Sequence, residues 1–108
     1  MTKQQFNEIT EWQKATFSKS TPLSKIAHLT DELAELSYDL VNKKAEQRLE
    51  FADCFFLLFG CAADAGMTYE DICSAIQEKF EINKKRKWGE PKENGVVNHL
   101  PNKDEKNH

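Results

Sequence analysis

Two pairs of acids, Glu32 with Glu35 and Glu50 with Asp53, each stand three residues apart, with fourteen residues between the pairs. On a helix a three-residue step leaves side chains about 60° apart around the axis and roughly one turn apart along it, so each pair shares a face. The second pair lies in LEFADCFFLLFGCAA, from Leu49 to Ala63, a segment of helical length that is otherwise nearly all apolar. A carboxylate set among Phe51, Phe55, Phe56 and Leu57 faces a large desolvation penalty unless a cation or strong donors meet it. Four carboxylates from two helices therefore point to one pocket for a divalent metal. Oxygen-only clusters suit hard cations such as Mg²⁺ or Mn²⁺, which keep some waters and take substrate phosphates in their remaining positions. Without a cation, a close pair of acids repels by roughly 3 kcal/mol at an effective dielectric of about 20.

The ordinary alternative is a solvated acidic face. For Glu32 and Glu35 alone it is the better reading, because E-x-x-E is common on helices. For Asp53 it is the poorer one, and the joint pattern favours metal. Asp39 and Glu46 share these helical faces but read more simply as solvent-facing. Further along, Lys79, Asn83 and Arg86 recur at steps of four and three on one helix face. They suit a polyphosphate, with Arg offering a bidentate fork and Lys a point charge. The competing reading is a basic helix end that complements the helix dipole, and Lys84, Lys85 and Lys87 fit that better. His28, one turn before Glu32, is a candidate substrate contact weighed against a structural histidine beside a helix core. Trp12 is a candidate platform for a nucleobase weighed against simple core filling.

No G-x-x-x-x-G-K-[ST] loop, H-x-E…P-C-x-x-C pattern or G-x-S-x-G elbow is present, which argues against P-loop, deaminase and serine-hydrolase chemistry. A di-iron carboxylate bundle needs E-x-x-H pairs, and neither His28 nor His99 stands three residues after a Glu. A non-catalytic helical interaction module, whose basic helix end meets an acidic partner, is the remaining alternative.

The elements that must position these groups are helices. A chain of 108 residues with 39% hydrophobic and 31% charged content, four glycines and three prolines has few places for the tight turns of a β-fold. The expectation is an all-α fold with one domain over residues 1–100 and a polar, disordered tail over 101–108. The net charge of −3 gives no global basic field for nucleic acid. Cys54, Cys61 and Cys73 form no C-x-x-C pair and read as small hydrophobes in a reducing compartment. No apolar run reaches about 18 residues without a charge, and the first residues lack the basic-then-apolar order of a signal peptide. A cytoplasmic protein without a membrane span is expected.

Phe6, Ile9, Trp12 or Gln13, and Phe17 suggest a first helix over 3–18. Thr21 as N-cap and Pro22 at the first helical position open a second, on which Ile26, Leu29, Leu33, Leu36 and Leu40 mark a core stripe. His28, Glu32, Glu35 and Asp39 run alongside, bordering that stripe. Residues 42–48 suit a turn between antiparallel helices, and a third helix over 46–65 is apolar nearly all round. Such a helix is central, or another subunit covers its outer face. Gly66 as C-cap and Thr68 as N-cap separate it from a fourth helix over 69–87, with Ile72, Ala75 or Ile76, and Phe80 facing the bundle.

With these residues in place, the chain resembles the all-α, MazG-like nucleoside triphosphate pyrophosphohydrolase superfamily. The signature is E-x-x-E, a spacer, then E-x-x-D, matched by Glu32, Glu35, Glu50 and Asp53. The segments FNEITEWQKATF, TPLSKIAHLTDELAEL, KFEINKKRKWGEP and GVVNHL resemble its dATP/dGTP diphosphohydrolase (MazZ-like) branch, over about Phe6 to Leu100. The acidic signature is shared with dimeric dUTPases, so a pyrimidine preference is the neighbouring reading, and the flanking segments favour purines. The resemblance implies a four-helix-bundle-like MazG-type fold assembled into a dimer or tetramer. It also implies Mg²⁺-dependent cleavage of a purine deoxynucleoside triphosphate between its α and β phosphates, with Mn²⁺ able to substitute. By position it makes the four acids metal ligands, one also orienting or deprotonating the attacking water, and places Lys79, Asn83 and Arg86 against phosphate.

Overall fold

The computed structural model describes residues 1–43 and 47–101. In them the chain forms α1 (Lys3–Thr16), α2 (Pro22–Val41), α3 (Arg48–Asp64) and α4 (Tyr69–Lys85), and no strand. This is the expected all-α class. Helix ends fall short of the expected limits by a residue or two, within the ordinary fraying of terminal turns. The expected start of the third helix at Glu46, and all of the expected tail except Pro101, lie outside the described residues.

Local chemistry explains where the helices begin and end. The Thr21 hydroxyl accepts from the Ser24 backbone N–H at 3.1 Å, and Ser24 Oγ accepts from the Thr21 N–H at 2.8 Å, a reciprocal box in front of Pro22. After α3, Gly66 turns the chain at φ +98°, a conformation that strains any side chain. The Met67 N–H then reaches Ala62 O at 3.0 Å and the Gly66 N–H reaches Ala63 O at 3.0 Å, so the last carbonyls of α3 are satisfied. Two residues later Thr68 and Asp71 cap α4 reciprocally, at 2.9 and 3.1 Å. The backbone N–H of Thr68 holds the Asp71 carboxyl below its ordinary value.

Contacts divide the chain into two compact units, Met1–Ile72 and Cys73–His108. In the first, α2 and α3 run antiparallel. The start of α2 meets the end of α3 through a buried Lys25–Asp64 ion pair and a bond from Cys61 Sγ to Pro22 O at 3.4 Å. At the opposite end Gln47 Nε2 donates to Asp39 O at 3.2 Å. Helix α1 lies on α3, with Gln13 Nε2 donating to Phe56 O at 2.9 Å and the Phe6 and Phe59 rings meeting edge to face at 6.0 Å. Side chains from α1 and α2, Gln13 and Lys25, both reach Gly60 on α3. A Cβ there would stand 2.4 Å from Gln13 Oε1 and 2.9 Å from Lys25 Cε, closer than any side chain tolerates.

The core is small: among the described residues Phe6, Leu36 and Cys54 are the buried apolar ones. Of the stripe expected to be core on α2, Leu36 is buried and Leu29 half-buried, while Ile26, Leu33 and Leu40 are exposed, Leu33 by 49%. These three recur every seven residues and so form a row of their own beside the Leu36 face. On α3, Phe51, Phe55 and Leu58 form a second exposed row, with Phe55 at 56%. Periodicity reports which residues share a face. It does not report whether the same chain covers that face.

In the second unit no residue of α4 is buried, and Ile76 and Phe80, expected to face a bundle, are exposed. After α4 the chain turns back on itself in a hairpin-like return. Gly89 N–H bonds Asn98 O at 2.9 Å, Leu100 N–H bonds Lys87 O at 2.6 Å, and Trp88 and His99 pair as an antiparallel bridge. No single described helix is long and apolar enough to cross a membrane.

Candidate active site

The antiparallel pairing sets the second half of α2, carrying Glu32, Glu35 and Asp39, beside the first half of α3, carrying Glu50 and Asp53. Asp39 faces Glu50 across the paired helices, and its carboxyl, as a hydrogen-bonding neighbour, is the first cause that pushes the Glu50 carboxyl up to about 7, followed by burial and by the charges of Asp39, Glu35 and Glu32. Glu50 Oε2 is buried without a hydrogen-bond partner. On the next turn, burial raises the Cys54 thiol, and the charges of Glu32, Asp53 and Glu50 raise it further. Members of both acidic pairs thus act on the same group.

Among the described residues no three of His, Cys, Asp or Glu converge on one point able to hold a metal ion as the side chains stand. The acids share a neighbourhood without closing a cage, and their mutual repulsion opposes closer approach. Asp53, moreover, is exposed, as are Phe51, Phe55 and Phe56 around it, so the desolvation penalty expected at Asp53 falls instead on Glu50. Asp39, expected to face solvent, is half-buried against Glu50.

Beside the acids lies a recess of about 410 Å³, walled by Trp12, Phe17 and Phe56 on its apolar side and by His28, Glu32 and Asp53 on its polar side. The Trp12 and Phe17 rings meet edge to face at 5.6 Å, and Trp12 remains 59% exposed. Gln13 takes the inward position that either Trp12 or Gln13 was expected to fill, because its amide reaches a main-chain carbonyl of α3. His28 Nε2 stands 3.3 Å from Glu32 Oε1 at the mouth. Trp12, His28, Glu32 and Asp53 are therefore brought together. Glu35 lies apart from this recess, in a separate hollow of about 450 Å³ with Tyr38 and Asp39.

Lys79, Asn83 and Arg86 belong to the second unit. Arg86 Nη1 donates to Asn83 Oδ1 at 3.4 Å, while Lys79 is exposed. Asp39 was placed on the face of the acids in the sequence, since it continues the stripe of His28, Glu32 and Glu35, but was read as solvent-facing. His99 carried no signal: it reaches Arg86 thirteen positions along a stretch that has no periodicity.

The sequence model of the dATP/dGTP pyrophosphohydrolase family matches residues 5–106, spanning both units. The dATP/dGTP diphosphohydrolase of cyanophage S-2L is 32% identical over 97 residues, covering 90% of this chain and 86% of that protein. The Eaa protein of Salmonella phage P22 is 49% identical over 45 residues, 42% of this chain and 14% of that protein. Among solved structures, the cyanophage S-2L MazG-like pyrophosphohydrolase bound to dGDP and three catalytic Mn²⁺ ions per active site superposes with a TM-score of 0.74. It is 30% identical, and the match covers 94% of this chain and 99% of that one. With helices in the order described and the acids at the signature spacing, this chain belongs to the dATP/dGTP pyrophosphohydrolase family.

Proposed function

We propose that the chain hydrolyses dATP and dGTP between the α and β phosphates, releasing the deoxynucleoside monophosphate and pyrophosphate. One observation carries this reading: Glu32 and Asp53 form the polar wall of an aromatic recess and also belong to the acidic neighbourhood around Cys54. A base held in the recess thereby has carboxylates at its edge. The volume falls in the range of small-ligand pockets, and Trp12 offers a face on which a purine can stack.

Glu32, Glu35, Glu50 and Asp53 would hold Mg²⁺, with Mn²⁺ able to substitute. The fit rests on an oxygen-only donor set and on the buried, unpartnered Glu50 Oε2. When bound, the cations neutralise phosphate charge and make a bound water more acidic. One of the acids accepts the proton of the water that adds to the α phosphorus, and pyrophosphate leaves. Lys79, Asn83 and Arg86 meet the phosphate chain, and His28 steadies Glu32. The three Mn²⁺ ions and dGDP of the cyanophage relative support divalent-cation use and a purine deoxynucleotide ligand.

The exposed rows Ile26, Leu33, Leu40 and Phe51, Phe55, Leu58 favour assembly with further copies of the chain, which would bury them. Cys54, Cys61 and Cys73 are free, in keeping with a reducing cytoplasm. The test is incubation of the purified protein with each deoxynucleoside triphosphate and Mg²⁺, followed by separation of products. Purine deoxynucleoside monophosphate plus pyrophosphate is expected. Release of orthophosphate and a diphosphate, turnover confined to pyrimidines, or no turnover overturns the reading.

A further inference from the structure

The wall of the recess carries a third carboxylate, on a helix that the acidic signature does not include. Glu8 stands on α1, one turn before Trp12, and lines the same recess as Trp12, Glu32 and Asp53. Gln4, Glu8 and Trp12 follow at four-residue steps and so share one face of that helix. Gln4 Nε2 donates to Glu8 Oε1 at 3.1 Å, and among the described residues the other oxygen of Glu8 has no hydrogen bond. Each carboxylate oxygen has two lone pairs, so both oxygens of Glu8 can still accept. Of the three carboxylates on the wall, Glu32 and Asp53 are the ones whose charge raises Cys54. Glu8 belongs to the recess and to neither acidic pair.

An ionised carboxylate only accepts hydrogen bonds, and it takes two at once from a planar partner with two parallel donors. Of the four bases of DNA, guanine alone presents two adjacent donors, N1–H and N2–H, on one edge. Adenine presents N6–H beside the N1 lone pair, so a carboxylate gains one bond and meets repulsion at its other oxygen. Thymine offers N3–H between two carbonyls, and cytosine N4–H beside the N3 lone pair. A base stacked on Trp12 also keeps water from the wall, which strengthens a hydrogen bond made there. We propose that Glu8 is a specificity-determining residue: it takes the N1–H and N2–H edge of a guanine stacked on Trp12 and makes dGTP the preferred purine substrate of this chain. The inference rests on the reading that the base occupies the recess while Glu32 and Asp53 serve the phosphates through metal. It adds a direction to the choice between the two purines and names the group that sets it.

The experiment uses the full chain and measures kcat/KM with Mg²⁺ for dGTP, dATP and dITP, whose base is guanine without the 2-amino group, alongside a Mn²⁺ titration. One hydrogen bond to a charged group predicts that the wild type favours dGTP over dITP by about tenfold or more. Glu8→Ala removes that preference. Glu8→Gln moves the preference toward dATP, because an amide donates to adenine N1 while it accepts from N6–H. Glu8 is exposed, so both replacements keep the fold, which circular dichroism checks. A merely structural Glu8 lowers all three rates by the same factor. That outcome, or equal wild-type rates with dGTP and dITP, overturns the role of Glu8 alone. Weaker Mn²⁺ binding in Glu8→Gln makes Glu8 a metal ligand and overturns it as well. A wild-type protein that turns over none of the three removes the proposed reaction and this inference with it.

Discussion

Asp39 near the end of α2 and Glu50 in the first turn of α3 face each other across the paired helices, and Asp39 is the first cause that raises the Glu50 carboxyl to about 7. The electrostatics of the site are thereby tied to the pairing of the helices.

Stability without metal should therefore depend on pH in a specific window. Glu50 is raised from 4.5 to about 7, so the folded state binds the proton more tightly than the unfolded chain does. Its contribution is complete below pH 4.5 and is lost as pH rises through about 7. Thermal melts in chelator should show Tm falling between these limits, and Asp39→Asn should flatten the slope. The lowered carboxyls of Glu70 and Asp71 act in the opposite sense, losing their contribution only as pH falls below 4.5 and 3.8, so the two effects separate. A Tm that rises across the window contradicts the raised Glu50 carboxyl.

Asp53→Ala should leave the fold intact, since the side chain is exposed, and reduce metal-dependent turnover by at least about 100-fold, more than loss of an outer-shell partner. Circular dichroism and product assays measure the two parts. A near-normal rate removes Asp53 from the ligand set.

Trp12→Ala should raise KM for dGTP about tenfold, the value of one base-stacking contact, while leaving Mn²⁺ binding unchanged. Initial-rate kinetics and a metal titration distinguish the outcomes. An unchanged KM would place the base elsewhere than the recess.

The Lys25–Asp64 pair is buried on both sides, with the side chains 5% and 13% exposed. Replacing Lys25 with Ala leaves Asp64 without its cation and should destabilise the protein by about 3 kcal/mol in urea unfolding, whereas a paired Lys25→Met, Asp64→Leu replacement should recover much of the loss. Equal stability of Lys25→Ala and wild type would show that water reaches the pair.

Phe55→Glu with Leu58→Glu places two charges on the exposed row of α3 and should shift the protein toward a single copy in light scattering. An unchanged mass would place any interface elsewhere.

What could be read in the sequence was what is decided locally. Thr21-Pro22 and the Gly66-x-Thr68 junction announce helix ends because their bonds span only a few residues, and the acidic pairs announce shared faces because helix geometry alone relates them. The burial of particular side chains was less legible. Leu33 and Leu36 are equally apolar, yet only Leu36 is buried, a distinction set by packing rather than by residue type. Asp53 looked buried because its neighbours in sequence are aromatic, but those rings are themselves exposed. Asp39 lay on the right stripe without any sign that it would meet Glu50, since that contact depends on the register between two helices. His99 lay beyond any helical period, and its meeting with Arg86 is set by the turn at Gly95.

The bond from Gln13 to Phe56 O addresses a carbonyl that every amino acid possesses. The grip of the first helix on the third is thus indifferent to which side chain occupies position 56, although that side chain forms part of the recess wall. Exchanging Phe56 for a smaller or larger residue can reshape the chamber without releasing its neighbour. A lineage adapting to a different base therefore has one position where it can vary the fit while keeping the frame.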